Sequence, residues 1–228
     1  MTNMDFSFLL EGYYIQIFLR GLGMTLLLAV MSVMLGTMLG IIPALMRLSK
    51  NKVFQLIATA YVELIRGTPI LVQVLLIYSF FRMPVTLVFG IDLSSFIPGM
   101  LALLINSSAY VSEVIRGGIN AVDKGQTEAA ESLGMSKKQT MVKIIMPQAV
   151  KNILPALGNE FVTMIKETSI FMYLGIAELM YSAIIVRTST YAVKESYVIA
   201  AVLYFLLTFP TSKLMAYFER RMKRADAR

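Results

Sequence analysis

The sequence predicts an all-α membrane protein with five transmembrane helices, and three observations carry that prediction. Of its 228 residues 57% are hydrophobic and only 15% charged, where a soluble domain carries about 25% charged residues. Mean hydropathy is +0.70. The apolar residues fall into five long runs, and Lys and Arg gather on alternate connections between them. The composition also excludes chemistries. With no Cys and no His, disulfides, thiol nucleophiles and imidazole metal ligands are ruled out, and neither a catalytic residue nor a metal site is expected. No G-x-x-x-x-G-K-[ST] occurs, so the chain has no P-loop to cradle ATP. The net charge of +7 flanks apolar runs, which suits a cytoplasmic membrane face and not nucleic acid.

Residues 1–20 carry an interfacial aromatic set, Phe6, Phe8, Tyr13, Tyr14 and Phe18, and lack the features of a removable signal peptide. The first span, 22–46, holds no charge between Arg20 and Arg47. At helical rise it covers about 37 Å, enough to cross with some tilt. Ser32, Gly36 and Gly40 make a small-xxx-small stripe, a helix-packing face. Arg47, Lys50 and Lys52 form the first basic loop.

The second segment, about 53–81, is interrupted by polar and helix-breaking residues. Pro69 removes a backbone hydrogen bond and Gly67 loosens the turn before it, so the helix should break or kink there. Arg66, Gly67, Thr68 and Pro69 are therefore a candidate gate or kink. Residues 82–96, with Arg82, Pro84, Gly90 and Asp92, form a short outer connection. The third span, 97–115, is polar in its second half, where Asn106, Ser107, Tyr110 and Glu113 form a stripe.

The fourth span, about 157–185, carries Asn159, Glu160, Thr163, Lys166 and Glu167. Helical spacing puts Asn159, Thr163 and Lys166 on one stripe and Glu160 with Glu167 on its neighbour. Arg187, Lys194 and Glu195 belong to the next outer loop, and a fifth span runs from about 197 to 217 with Pro210 near its inner end. The tail holds Lys213, Arg220, Arg221, Lys223, Arg224 and Arg228. The positive-inside rule then puts the N-terminus outside and the C-terminus in the cytoplasm.

Charge at mid-bilayer costs at least about 2.5–3.5 kcal/mol, so the polar groups of spans three and four must face a partner or a wet cavity. Acid, base and amide groups together suit a zwitterionic ligand. Asn106, Ser107, Tyr110, Glu113, Asn159, Glu160, Thr163, Lys166 and Glu167 are accordingly the substrate-pathway candidates. The competing reading makes Glu113–Arg116 and Lys166–Glu167 structural ion pairs at helix junctions.

The longest polar passage, 123–147, reads as two short helices meeting at a glycine. Asp123 with Gln126, and Ser136 with Gln139, have capping-box spacing. Gly134 falls where a left-handed residue should end the first helix, and Pro147 closes the second or lets it restart. Ile119, Val122, Ala129 and Leu133 share one helical face, which is expected to be buried.

Glu128, Ala129, Ala130, Gly134, Ile144 and Pro147 match in type and spacing the EAA loop of permease subunits of ABC importers, with Met146 where Leu is usual. The passage from Tyr61 to Gln73 and the run Ala109, Tyr110, Glu113, Arg116, Gly117, Gly118 resemble the polar amino-acid branch (the histidine, glutamine and arginine type). The resemblance extends from about Gly21 to Phe218. It implies a type I ABC importer permease fold: a single transmembrane permease domain, 1–228, with a cytoplasmic coupling loop at about 117–156.

What the resemblance implies about function is equally specific. Two ATPase subunits would bind ATP and Mg, leaving this chain without a cofactor and not itself an enzyme. A second permease copy or a sister permease would complete the pathway, and an extracytoplasmic solute-binding protein would deliver a polar amino acid. Glu128, Ala129, Ala130, Gly134, Ile144 and Pro147 would then be the coupling residues, in a bacterial plasma-membrane protein of several passes. Three alternatives stay open from the residues alone: an ion-coupled secondary transporter using Glu113, Glu160 or Lys166, an ABC permease for another small polar solute, and a non-transporting membrane scaffold.

Overall fold

The computed structural model describes residues 4–81 and 83–226. Arg82 and Arg228, read above as part of an outer connection and of the basic tail, lie outside the described residues. After a short 3-10 turn, Ser7–Leu10, helix α1 runs Gly12–Leu48. It starts ten residues before the expected span because hydrogen bonding, not the bilayer edge, sets helix ends; at 37 residues it is about 55 Å long. Arg20 is thus an exposed residue within the helix and not a flank.

Helices α2, Lys52–Arg66, and α3, Ile70–Phe80, follow, then a two-stranded turn, β1 (Leu87–Val88) with β2 (Ile91–Asp92). Asp92 caps helix α4, Leu93–Asn120, by accepting from the Ser94 amide at 2.9 Å. Helices α5, Lys124–Ser132, and α6, Lys137–Thr140, form the polar loop between α4 and α7. A π-helical turn, Met141–Ile145, leads into α7, Met146–Glu167. A 3-10 stretch, Thr168–Leu174, precedes α8, Leu179–Thr190, and α9, Val193–Asp226, closes the chain.

Three described helices are long and apolar enough to cross a membrane unbroken, and two bent pairs bring the spans to five if each pair crosses once. The expected break at Gly67-Thr68-Pro69 is a turn of 103° between α2 and α3. Sequence reasoning did not find what holds it open. Gln73, buried at the start of α3, donates to the carbonyl of Ile65 at 2.7 Å and to that of Thr68 at 3.0 Å. It thereby satisfies the Ile65 carbonyl, which the missing Pro69 amide leaves unpaired, and the Thr68 carbonyl exposed at the turn.

The fourth span differs from the expectation more sharply. It is not one helix over 157–185: the 3-10 stretch and Gly175, at φ +73°, end its first half, and the two halves meet at 48°. Glu178, fully buried, restarts the helix by accepting from the amides of Met180 and Tyr181 at 2.9 and 2.7 Å and from the Tyr204 hydroxyl at 2.8 Å. Arg187, expected in an outer loop, lies within α8 and stacks on Tyr197 at 5.5 Å.

The core sits where α1 crosses α4 and α7, around Leu28, Leu103, Met164 and Phe171. Ser32, Gly36 and Gly40 are buried on the α4-facing side of α1, as the small-residue stripe required. A Cβ on Gly40 would stand 2.7 Å from the Ser108 carbonyl oxygen, so only glycine lets the backbones approach this closely. Gly40→Val is expected to lower stability by about 1–3 kcal/mol, read as a fall in the melting temperature of the purified protein; an unchanged temperature would refute the packing account. Phe8 and Phe18, expected at the membrane interface, instead pack with Leu179, Ala183 and Ala200 in a second cluster. They are drawn in because α8 folds back over the start of α1.

Candidate substrate cavity and coupling loop

The break after α2 lays Arg66, Gly67, Thr68 and Pro69 against the middle of α4 and the C-terminal end of α7. There they line a cavity of about 390 Å³ whose other walls include Asn106, Tyr110, Glu160, Thr163 and Glu167. Nine of the residues singled out from the sequence, on three separate segments, therefore converge on one space.

The cavity is polar by construction. Glu160 is 8% exposed, and its Oε1 has no hydrogen-bond partner among the described residues. An acceptor buried in that state is costly unless something enters to meet it. Arg66 stacks on the Tyr110 ring at 5.2 Å, a cation–π contact that keeps its guanidinium at the wall. Asn106 donates to the Gln73 side chain at 3.0 Å, so the staple at the helix break also orients the cavity's amide. Thr163 returns its hydroxyl to the Asn159 carbonyl at 3.1 Å.

Four other candidates fall elsewhere. Ser107 is fully buried under Gly36, at the α1–α4 crossing. Asn159 lines a neighbouring space of about 420 Å³, together with Glu113, Lys151 and Asn152. Lys166 is exposed and lines neither space, because α7 turns its face away from both. Glu113 accepts from Arg116 at 2.7 Å and is paired with Arg47, with Arg66 a third neighbour at 3.6 Å. The Glu113–Arg116 pair was legible at its spacing of three; Arg47, at the far end of α1, was read only as part of a basic loop.

In the polar loop the two helices meet as expected at Gly134, φ +82°. The amide of Met135 bonds the Ala130 carbonyl at 3.1 Å and that of Gly134 bonds Glu131 at 3.0 Å, a complete Schellman closure. Ser136 and Gln139 form the capping box. Asp123 caps α5 through the Gly125 amide at 2.6 Å rather than by a box with Gln126.

The face predicted to be buried is found only in its first half, where Ile119 is buried and Val122 packs against its cluster. Ala130 is buried, whereas Ala129 is exposed and Leu133 is 84% exposed. Ile119 belongs to α4 and Val122 to the link after it, so the helical register does not run through 119–133. Glu128 is also exposed, which leaves Glu128, Ala129 and Leu133 on open surface. Ile144 is half-buried against Ile119 and Ala149. Pro147 stands where the helix restarts, in the first turn of α7, and the π turn before it, with the Met146 amide reaching the Met141 carbonyl, widens the helix ahead of the proline ring.

The sequence profile of the family described as binding-protein-dependent transport system inner membrane component matches residues 36–224, from the middle of α1 almost to the end of α9. The chain belongs to this family. It is thus the membrane component of a transport system and not itself an enzyme. The Arginine transport system permease protein ArtQ of Bacillus subtilis (strain 168) is 39% identical over 224 residues, covering 98% of this chain and 100% of its own. A chain from the solved crystal structure of an amino acid ABC transporter with histidines is 48% identical with a TM-score of 0.87, over 96% of this chain and 100% of that one. The MetNI methionine ABC transporter in an inward-facing conformation, at 17% identity and TM-score 0.70 over 90% and 97% of the two chains, shares the fold. The type I importer permease fold implied by the EAA loop is therefore the fold of this chain.

Proposed function

We propose that the chain is the permease subunit of an ATP-driven importer of polar amino acids, and that its cavity receives those with a cationic side chain. The observation that carries the choice is the unpartnered, buried Glu160 carboxylate in a space that also presents Glu167 and one guanidinium, Arg66. An amino acid with a basic side chain offers two cations and one anion, and the cavity offers two anions and one cation. At about 390 Å³ the space is in the range of ligand pockets. The arginine and histidine named for two relatives are of this class, while a Rickettsia conorii relative 43% identical is named for glutamine, a neutral polar amino acid.

In this reading all of 1–228 is one transmembrane permease domain with its coupling loop at about 117–156. The open surface of Glu128, Ala129 and Leu133 is where an ATPase subunit docks. Two such subunits bind ATP and Mg, a second permease copy or a sister permease completes the pathway, and an external solute-binding protein supplies substrate. The test is equilibrium binding of labelled arginine, histidine, glutamate and leucine to the purified permease–ATPase complex without the binding protein. Arginine or histidine should bind and the other two should not; preference for glutamate would overturn the cationic class.

The bacterial plasma membrane holds the chain with its N-terminus outside and its C-terminus in the cytoplasm, because Arg47, Lys50, Lys52 and the loop 116–151 carry the basic residues. A tag after Arg228 should be modified only from the cytoplasm and one before Met4 only from outside. Both tags on one side would make an odd number of spans untenable.

A further inference from the structure

Glu113 does more than pair with its neighbour on α4. Its carboxylate is shared by three guanidiniums from three helices: Arg47 from the end of α1, Arg116 from α4 and Arg66 from the end of α2. The three are not held alike. Arg116 makes two hydrogen bonds to Oε2, at 2.7 and 3.1 Å, and Arg47 bonds Oε1 directly. Arg66 stands 3.6 Å from Oε1 with no hydrogen bond, and its side chain is the most exposed of the three, at 43%. It is the loosest member, and the only one that also lines the substrate cavity. Glu113 itself lines the neighbouring space beside Asn159, so the Arg66–Glu113 contact stands between the two spaces.

Arg66 also faces Glu160 and Glu167 across the cavity, so it stands between anions on two sides and is held by a hydrogen bond to none of them. With no hydrogen bond fixing it to Glu113, the fork of Arg66 is the donor set that can turn toward a carboxylate entering the cavity. We propose that Glu113 is a positioning residue that competes with the α-carboxylate of the transported amino acid for Arg66. The inference rests on the cavity being the substrate site. Arg66 is drawn toward Glu113 while the cavity is empty and turns onto the substrate carboxylate when it fills. Loading the site thereby loosens the cluster that joins α1, α2 and α4.

The test compares arginine with agmatine, the same cation without its carboxylate, in equilibrium binding to the purified complex. Glu113→Gln releases Arg66, so arginine should bind about threefold more tightly, the scale of one partly exposed ion pair, while agmatine binding stays unchanged. Arg47→Gln frees Oε1 to hold Arg66 harder and should weaken arginine binding by a similar factor, again without moving agmatine. Glu113→Asp should restore the wild-type ratio. A merely structural Glu113 would shift both ligands together or neither, and that result overturns the proposal. Failure of the wild-type complex to bind arginine would overturn the substrate reading with it, whereas arginine binding without these opposed shifts would overturn the competition alone. Should Glu113→Gln fail to fold, the opposite-signed shift in Arg47→Gln decides the matter.

Discussion

Glu160→Gln is expected to weaken arginine binding sharply, and uptake with it, while leaving the protein folded. The substitution keeps the shape of the side chain and removes its charge. A charge-assisted contact to a ligand cation is worth about 1.5–3 kcal/mol, so affinity should fall by roughly tenfold to hundredfold. Stability should hold, because the Oε1 of Glu160 meets no donor among the described residues and its loss strands no partner. Glu113 makes the contrast: neutralising it leaves two hydrogen-bonded guanidiniums without their anion in a part-buried cluster, so its melting temperature should fall where that of Glu160→Gln does not. The measurement is melting temperature, ATP hydrolysis and labelled-arginine binding on the same reconstituted complex. Retained binding in Glu160→Gln would place the ligand elsewhere, and loss of all three signals together would make Glu160 a structural residue.

Much of this arrangement was legible in the residues, for reasons that differ from element to element. Pro69 announces its break wherever it stands, because a missing amide and a fixed ring are local facts. Gly134 with Ser136 and Gln139 is similarly self-contained, and the structure has both the left-handed glycine and the box. Ser32, Gly36 and Gly40 identify a packing face by absence of bulk, although nothing in them named Ser107, Ser108 and Val111 as what they pack against. The cavity was legible as a set of costly polar residues in apolar runs. Its membership was not, since whether Asn159 or Glu160 faces it depends on the rotation of α7 against α4.

What escaped was non-local or quantitatively weak. Gln73 is one amide in an apolar helix, and its task appears only once the 103° turn leaves the Ile65 and Thr68 carbonyls bare. Glu178 was passed over because no proline marks the second break; Gly175 alone, at φ +73°, ends the first half-helix. The burial pattern at 119–133 misled for a physical reason. A 3.6-residue period was carried through Ala121–Asp123, where α4 stops and α5 begins on a new axis, so Ala130 and not Ala129 turns inward.

The second large effect is expected at Gly134. At φ +82° its amide and that of Met135 close the end of α5, and an added Cβ would meet nothing within 4 Å. The penalty of a substitution is therefore conformational and not steric crowding by neighbours. An L-residue in this region costs about 1–2 kcal/mol and a β-branched one more, and the backbone escapes it by opening the Schellman closure and changing the angle between α5 and α6. The core clusters around Leu28 and Phe18 draw nothing from this loop, so Gly134→Val should insert and assemble its spans normally. Glu128, Ala129 and Leu133 would then be presented at the wrong angle to an ATPase subunit. Gly134→Val should lose most of the co-purifying ATPase and nearly all ATP-dependent uptake, with the melting temperature of the isolated permease little changed. Gly134→Ala should fall between, and Gly134→Asn, which tolerates the left-handed region, should come close to wild type. That graded order separates backbone strain from simple loss of a small residue. Full coupling in Gly134→Val would show that the angle between the two loop helices does not govern docking.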